Sequence, residues 1–147
     1  MTAVASVLDL IKRHEGCRLT AYADTEGKPT IGWGHCTAGI RIGDMISQRQ
    51  ADFWLAFDIE VAEENAEAVY GLEAWNALDE VRRAALVDMA FQLGRKGLAG
   101  FIHMLTALSV GDWKGAARHA LDSEWAKQTP NRAREIATMY ETGAWPV

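Results

Sequence analysis

The chain lacks several features that would point to particular classes of protein. No stretch of the 147 residues approaches the run of about 18 apolar residues that spans a bilayer. Residues 1–10 are mildly apolar but carry Asp9, and Lys12 and Arg13 fall on the wrong side for a secretory signal, so no route out of the cytoplasm is expected in the chain itself. Basic residues are outnumbered 15 to 20, for a net charge of -5. A nucleic-acid binder needs a basic face to neutralise phosphates, and this balance argues against one. It also gives little long-range attraction to any anionic polymer, so such a ligand would have to be held by local contacts. There are only two cysteines, Cys17 and Cys36, with neither metal-ligand spacing nor a C-x-x-C pattern. They read as free thiols, with a bridge between them as the alternative. No internal repeat or low-complexity tract is visible.

What remains is an ordinary globular composition, 49% hydrophobic and 24% charged, long enough for one domain or two small lobes with a real core. Val4, Val7, Leu8 and Ile11 recur at helical spacing and predict an amphipathic helix over 3–14, ended by Gly16 with Glu15 at its C-terminus. Residues 18–23 and 30–35 read as short strands joined by a turn containing Gly27 and Pro29, with a third short strand at 39–42. Ser47 is a good N-cap for a long helix reaching about residue 68. That helix carries one stripe of Trp54, Phe57 and Val61 and another of Leu55, Ile59, Ala62 and Ala66, which suits a segment packed against two lobes. From Asp79 onward the pattern is helical, and 84–93 is apolar except for Asp88 and Gln92, so this helix reads as the buried centre of a C-terminal lobe. Short helices follow at 101–108, after an Asp112 cap, and after Thr129 as cap with Pro130 in the first turn.

The expected fold is therefore α+β and mostly helical, a single domain over 1–147. A small β-containing lobe (about 12–58) is joined by the helix at about 47–68 to a helical lobe made of 1–11 and 68–147. A groove between lobes is where a ligand normally binds.

The stretch from Glu15 to His35 holds two carboxylates, Glu15 and Asp24, with a turn between them that keeps them off one helical face. Two acids facing each other across a gap, one protonated and one ionised, are what hydrolysis of a glycosidic bond requires. Thr30 adds a hydroxyl that could position a water. Glu15 lies where the helix dipole disfavours negative charge, which suits a carboxyl that keeps its proton. Spacing alone does not single these residues out, since among 20 acidic residues such a separation is commonplace and two solvated carboxylates are the plain alternative.

The surrounding motifs do single them out. Asp-Thr-Glu-Gly at 24–27, Thr-Ile-Gly-Trp-Gly-His at 30–35, Leu-Asp-Glu-Val-Arg-Arg at 78–83, Phe-Gln-Leu-Gly at 91–94, Ala-Gly-Phe at 99–101, Gln-Thr-Pro-Asn-Arg-Ala at 128–133 and Thr-Gly-Ala-Trp at 142–145 follow one another in order. In this the chain resembles the phage-type lysozymes, muramidases of T-even and related bacteriophages (glycoside hydrolase family 24), over nearly its whole length. The weakest stretch lies between Cys36 and Asn76. The resemblance implies a lysozyme-like fold and hydrolysis of the β-1,4 bond between N-acetylmuramic acid and N-acetylglucosamine in peptidoglycan, by inversion, with host lysis as the outcome. It implies Glu15 as general acid, Asp24 as partner of the attacking water and Thr30 as the residue holding that water. Gly34, Phe91 and Gln92 match substrate-binding positions. Arg132 is implied as the ion-pair partner of Glu15, and His35 as paired with Asp58 to tie the sheet to the long helix. Trp125 reads as packing.

No cofactor and no metal are implied, nor nucleic acid nor stable membrane insertion. The expected protein is a monomer, held in the host cytoplasm until lysis and then acting on the wall in the periplasm, with a separate membrane-permeabilising protein giving access. Three positions depart from the family. Glu124 stands where a basic residue would face the acid matched by Glu26, and Met104 and His119 replace small polar or amide groups along the expected groove. The rival readings are a lytic transglycosylase, whose chemistry needs no positioned water, and a catalytically silent wall-binding module on the same fold.

Overall fold

The computed structural model describes residues 3–147. The order of elements is α1 (Val7–Glu15), β1 (Arg18–Ala23), β2 (Pro29–Gly32), α2 (Gln48–Tyr70), α3 (Leu72–Ala77), α4 (Glu80–Ala99), α5 (Ile102–Ser109), α6 (Trp113–Leu121), α7 (Glu124–Gln128) and α8 (Pro130–Thr142). Residues 1 and 2 of the expected helical lobe lie outside the described range, and the predicted helix at 3–14 lies within it.

Helix α1 starts later than its apolar spacing suggests, because the Ser6 side chain accepts from the Asp9 backbone N–H and caps it there. Val4 precedes the cap and is still buried. The two strands form one antiparallel hairpin, with Tyr22 opposite Thr30 and Ala23 opposite Pro29. β2 stops at Gly32 instead of running to residue 35. Gly32 (φ 65°) and Gly34 (φ 75°) reverse the chain, and Ile31 pairs back with His35 through two backbone hydrogen bonds of 2.9 Å.

The predicted strand at 39–42 does not form. Gly39 (φ 95°) and Gly43 (φ 93°) turn the chain on either side of it, and the Asp44 side chain accepts from the Arg41 backbone N–H at 2.8 Å. The pairing with β1 is made instead a few residues later, at Gly43, Asp44 and Ile46.

Helix α2 is capped by Ser47 as expected. Only one of its two apolar stripes is buried: Leu55, Ile59, Ala62 and Ala66 are inside. The other expected stripe is not, since Phe57 is 58% and Val61 40% exposed, while Trp54 stacks on His35 with ring centroids 4.4 Å apart. Helix α4 is the centre of the core, with Ala84, Ala85, Leu86, Val87, Met89 and Ala90 buried, and it breaks at Gly94 (φ 74°, ψ 176°). α1, α2 and α8 pack against it through Leu10, Ile11, Ile59, Ile136 and Tyr140, and α5 and α6 join the same core through Leu108 and Ala116. At α8 the Thr129 side chain makes no cap; its hydroxyl donates to the Trp125 carbonyl at 3.0 Å. Met104 is 1% exposed, so the expectation that it lines a groove is corrected: the thioether fills the core beneath α5. The short helices α3 and α7 have no counterpart among the predicted elements.

Candidate active site

Glu15 is the last residue of α1, released from the helix by Gly16 (φ 67°), whose N–H returns to the Lys12 carbonyl. Its carboxyl is clasped from two sides. Arg132 Nη1 donates to Glu15 Oε1 at 2.8 Å. On the other side the hairpin loop brings Gly34 so close that a Cβ there would lie 2.5 Å from Glu15 Oε2. Any side chain at residue 34 would displace the carboxyl, and the positive φ would strain it as well.

Arg132 belongs to a longer array. Its Nε donates to Asp88 Oδ1 at 2.8 Å. The other Asp88 oxygen meets His14 Nδ1 at 2.8 Å, and His14 Nε2 meets Glu135 Oε1 at 2.9 Å. Arg13 closes the row on Glu135 Oε2. Arg13, Glu135, His14, Asp88, Arg132 and Glu15 thus alternate in charge along one continuous path. Asp88 is fully buried, and a buried carboxylate persists only when it is paired and hydrogen-bonded.

Burial pushes the His14 imidazole down and Arg132 adds to this, but the Asp88 and Glu135 carboxylates outweigh both, so His14 holds its proton above the usual 6.5. Burial likewise works against the Arg132 guanidinium, and Asp88 and Glu15 reverse the effect, raising it. A group whose pKa is raised on folding contributes stability that is complete below its unfolded value and fades as pH rises through the folded one. The melting temperature of wild type relative to His14→Gln is therefore expected to be highest just below pH 6.5, and to converge on the variant's in alkaline solution. Thermal melts across this range check it; a gap independent of pH contradicts it.

Asp24 closes β1. Its Oδ1 accepts the backbone N–H groups of both Glu26 and Lys28 at 2.8 Å, while its own N–H donates to the Lys28 carbonyl. The Asp-Thr-Glu-Gly-Lys turn thus fixes one carboxylate oxygen. Oδ2 has no protein hydrogen bond among the described residues. Thr30, 5% exposed, donates its hydroxyl proton to the Lys28 carbonyl at 3.1 Å, so its oxygen is left as an acceptor.

Tyr22, directly across the hairpin from Thr30, shares its face. Its phenol is raised above 10.0 by burial first and then by the Glu15 and Asp24 charges, against the lowering effect of Arg18. One phenol thus feels both carboxylates. Tyr22 carries no motif that a reading of the strand would single out.

The hairpin is tied to α2 at two points. His35 Nδ1 meets Asp58 Oδ2 at 2.6 Å. Trp33 Nε1 donates to Asp52 Oδ1 at 2.8 Å, and this bond, with one from Gln48, lowers the Asp52 carboxyl below its usual range. Phe91 and Gln92 stand apart from these contacts, in α4 just before the Gly94 break. Phe91 is half-buried against the core, and Gln92 Oε1 accepts from Trp125 Nε1 at 2.8 Å. Trp125, buried as expected, meets the Phe101 ring edge-on.

Glu124 pairs with Lys127 at 3.8 Å and Glu26 with Lys28 at 3.3 Å, so each acid has a cation close by in the chain. His119 lies against His103, ring centroids 5.5 Å apart. Cys17 and Cys36 are free thiols. A concavity of about 390 Å³ lies along Arg13, His14, Arg132 and Glu135. Another of about 230 Å³ lies between Trp75 and Trp145. Neither is lined by Glu15, Asp24 or Thr30. Among the described residues, no three His, Cys, Asp or Glu side chains are grouped to hold a metal, and no helix is long and apolar enough to cross a membrane.

A carboxyl clasped at a helix end and a second fixed by a hairpin turn stand on a mostly helical α+β frame, the frame of a lysozyme-like fold. The phage lysozyme family matches residues 12–138, and the chain belongs to it. It is similar to a probable T4-type lysozyme of Dictyostelium discoideum (30% identity, 95% of this chain and 96% of that protein). An endolysin of Acyrthosiphon pisum secondary endosymbiont phage 1 shares 34% identity over 86% of this chain and 82% of its own. The pre-baseplate central spike protein Gp5 of Enterobacteria phage T4 shares 32% identity over 94% of this chain, which spans only 28% of that protein's length.

Proposed function

We propose that the protein is a muramidase that hydrolyses the β-1,4 bond between N-acetylmuramic acid and N-acetylglucosamine in peptidoglycan, with inversion. The observation that carries this reading is the Glu15 carboxyl held between Arg132 and Gly34, with Asp24 in the turn and Thr30 on β2 of the hairpin that runs on into Gly34. Glu15 donates its proton to the leaving glycosidic oxygen. Asp24, with one oxygen fixed by the turn and one free, takes a proton from the attacking water, which the Thr30 oxygen orients. Phe91 and Gln92 contact sugar from α4, and His35 with Asp58 keeps the hairpin seated on α2.

In this reading 1–147 is a single domain, active as a monomer, whose substrate groove lies between the hairpin lobe and the helical lobe. The relatives named endolysin support a role in host lysis. The protein would then wait in the host cytoplasm and reach the periplasmic wall once a separate protein has permeabilised the membrane.

The test is digestion of purified peptidoglycan with mass analysis of the released muropeptides. Reducing N-acetylmuramic acid ends are expected. Anhydro ends would make the protein a lytic transglycosylase instead, and no release would make it a binding module.

A further inference from the structure

Both ring nitrogens of His14 face carboxylates, Asp88 from α4 and Glu135 from α8. A neutral imidazole has one N–H, so this arrangement is satisfied only by the doubly protonated ring. The row from Arg13 to Glu15 then holds three cations and three anions, Arg13, His14 and Arg132 against Glu135, Asp88 and Glu15. Glu15 is the one anion at an end of the row, bonded to it through Arg132, while the Tyr22 phenol of β1 also feels its charge. Its protonation, which acid catalysis requires, leaves the row one positive charge in excess.

We propose that Asp88 and His14 are positioning residues that set the proton occupancy of Glu15 through Arg132. Asp88 divides the guanidinium between two carboxylates and so weakens its hold on the ionised form of Glu15. His14 in its charged form occupies the other Asp88 oxygen and limits that compensation. Removing Asp88's charge therefore leaves Arg132 wholly to Glu15 and favours the ionised acid, whereas removing His14's charge favours the protonated acid. The groups facing His14 are Asp88, Glu135 and Arg132 across the interface, with Arg13 and Glu15 on its own helix; the buried phenol of Tyr140 also feels Asp88. The Asp88 hydrogen bonds lie 74 and 44 positions along the chain from their partners, so the coupling joins α1, α4 and α8 in one electrostatic unit.

This rests on Glu15 as the general acid, and the test separates the two claims. The Glu15 side-chain carboxyl is titrated by carbon NMR in wild type, Asp88→Asn and His14→Gln, and the alkaline limb of the kcat/KM profile is measured on the same three proteins. The expected result is a midpoint and a limb that both move down in Asp88→Asn and both move up in His14→Gln, each by about one pH unit, the size expected when a nearby charge is removed from a partly buried site. A role confined to packing lowers activity or melting temperature without moving the midpoints in opposite directions, and that result overturns the proposal. If Asp88→Asn does not fold, His14→Gln decides alone, an upward midpoint supporting the coupling and an unchanged one overturning it. Midpoints that move while the limb stays put uphold the coupling and remove Glu15 from the acid role.

Discussion

Glu15→Gln is expected to lower turnover by about 10²- to 10⁴-fold, the usual contribution of a positioned general acid, while the melting temperature stays within a few degrees of wild type. Glutamine is nearly isosteric. Its side-chain oxygen can still accept from Arg132 Nη1, as Glu15 Oε1 does at 2.8 Å, and its amide fits the space beside Gly34 that a Cβ would fill. The change also leaves Arg132 bonded to Asp88, so no buried cation is stranded and the large penalty for an unpaired charge does not arise. What glutamine cannot do is deliver a proton to a leaving oxygen. Initial rates on purified peptidoglycan, with thermal melts on the same preparation, check the result. Wild-type rates at unchanged melting temperature would remove Glu15 from the chemistry.

Asp24→Asn is expected to have the next largest effect, a loss of about 10²-fold or more in kcat, again with little change in stability. The carboxylate oxygen that accepts from Glu26 and Lys28 can be replaced by the asparagine carbonyl, so the turn survives. The amide nitrogen then faces outward, where the structure presents a free carboxylate oxygen, and it cannot take a proton from water. The loss should fall on kcat with KM nearly unchanged, because the group acts on the water and not on bound sugar. An equal loss in an Asp24→Asn protein whose hairpin has melted would not count, so amide spectra of Glu26 and Lys28 accompany the kinetics. A well-folded variant with near-normal kcat contradicts the assignment.

Much of this arrangement is legible in the sequence, and the reasons are local. α2 is readable because Ser47 caps an unbroken apolar period, and the centre of α4 because almost every residue from Ala84 to Ala90 is apolar. The turn that fixes Asp24 is readable because its glycine, proline and aspartate all favour one short reversal. The Glu15 to Arg132 and His35 to Asp58 contacts are suggested by family resemblance, since residues so far apart in the chain carry no periodic signal.

Each departure from the sequence pattern has its own physical cause. Ile40 and Ile42 look like strand residues, but the flanking glycines at positive φ bend that segment away from β1. Phe57 and Val61 repeat at helical spacing, yet periodicity says only that a face is apolar, not that anything covers it. Asp88 registers in the sequence merely as an exception in an apolar run. Its role emerges once α1 and α8 are packed against α4 and bring His14 and Arg132 to its two oxygens. A lone acid in an otherwise apolar helix is the signal that could have found it, because a buried carboxylate demands cationic partners.

The measurement that tests the account most directly is the anomeric form of the first product. A water held between Asp24 and the sugar carbon needs room, so inverting enzymes separate their carboxyls by about 6.5–9.5 Å where retaining enzymes use about 5–5.5 Å. Thr30 has work to do only in the first case. A fresh digest of a β-linked peptidoglycan glycan, followed by proton NMR before mutarotation, is predicted to show the α-anomer first. An initial β-anomer would contradict the positioned water and make Asp24 a nucleophile that attacks the sugar itself.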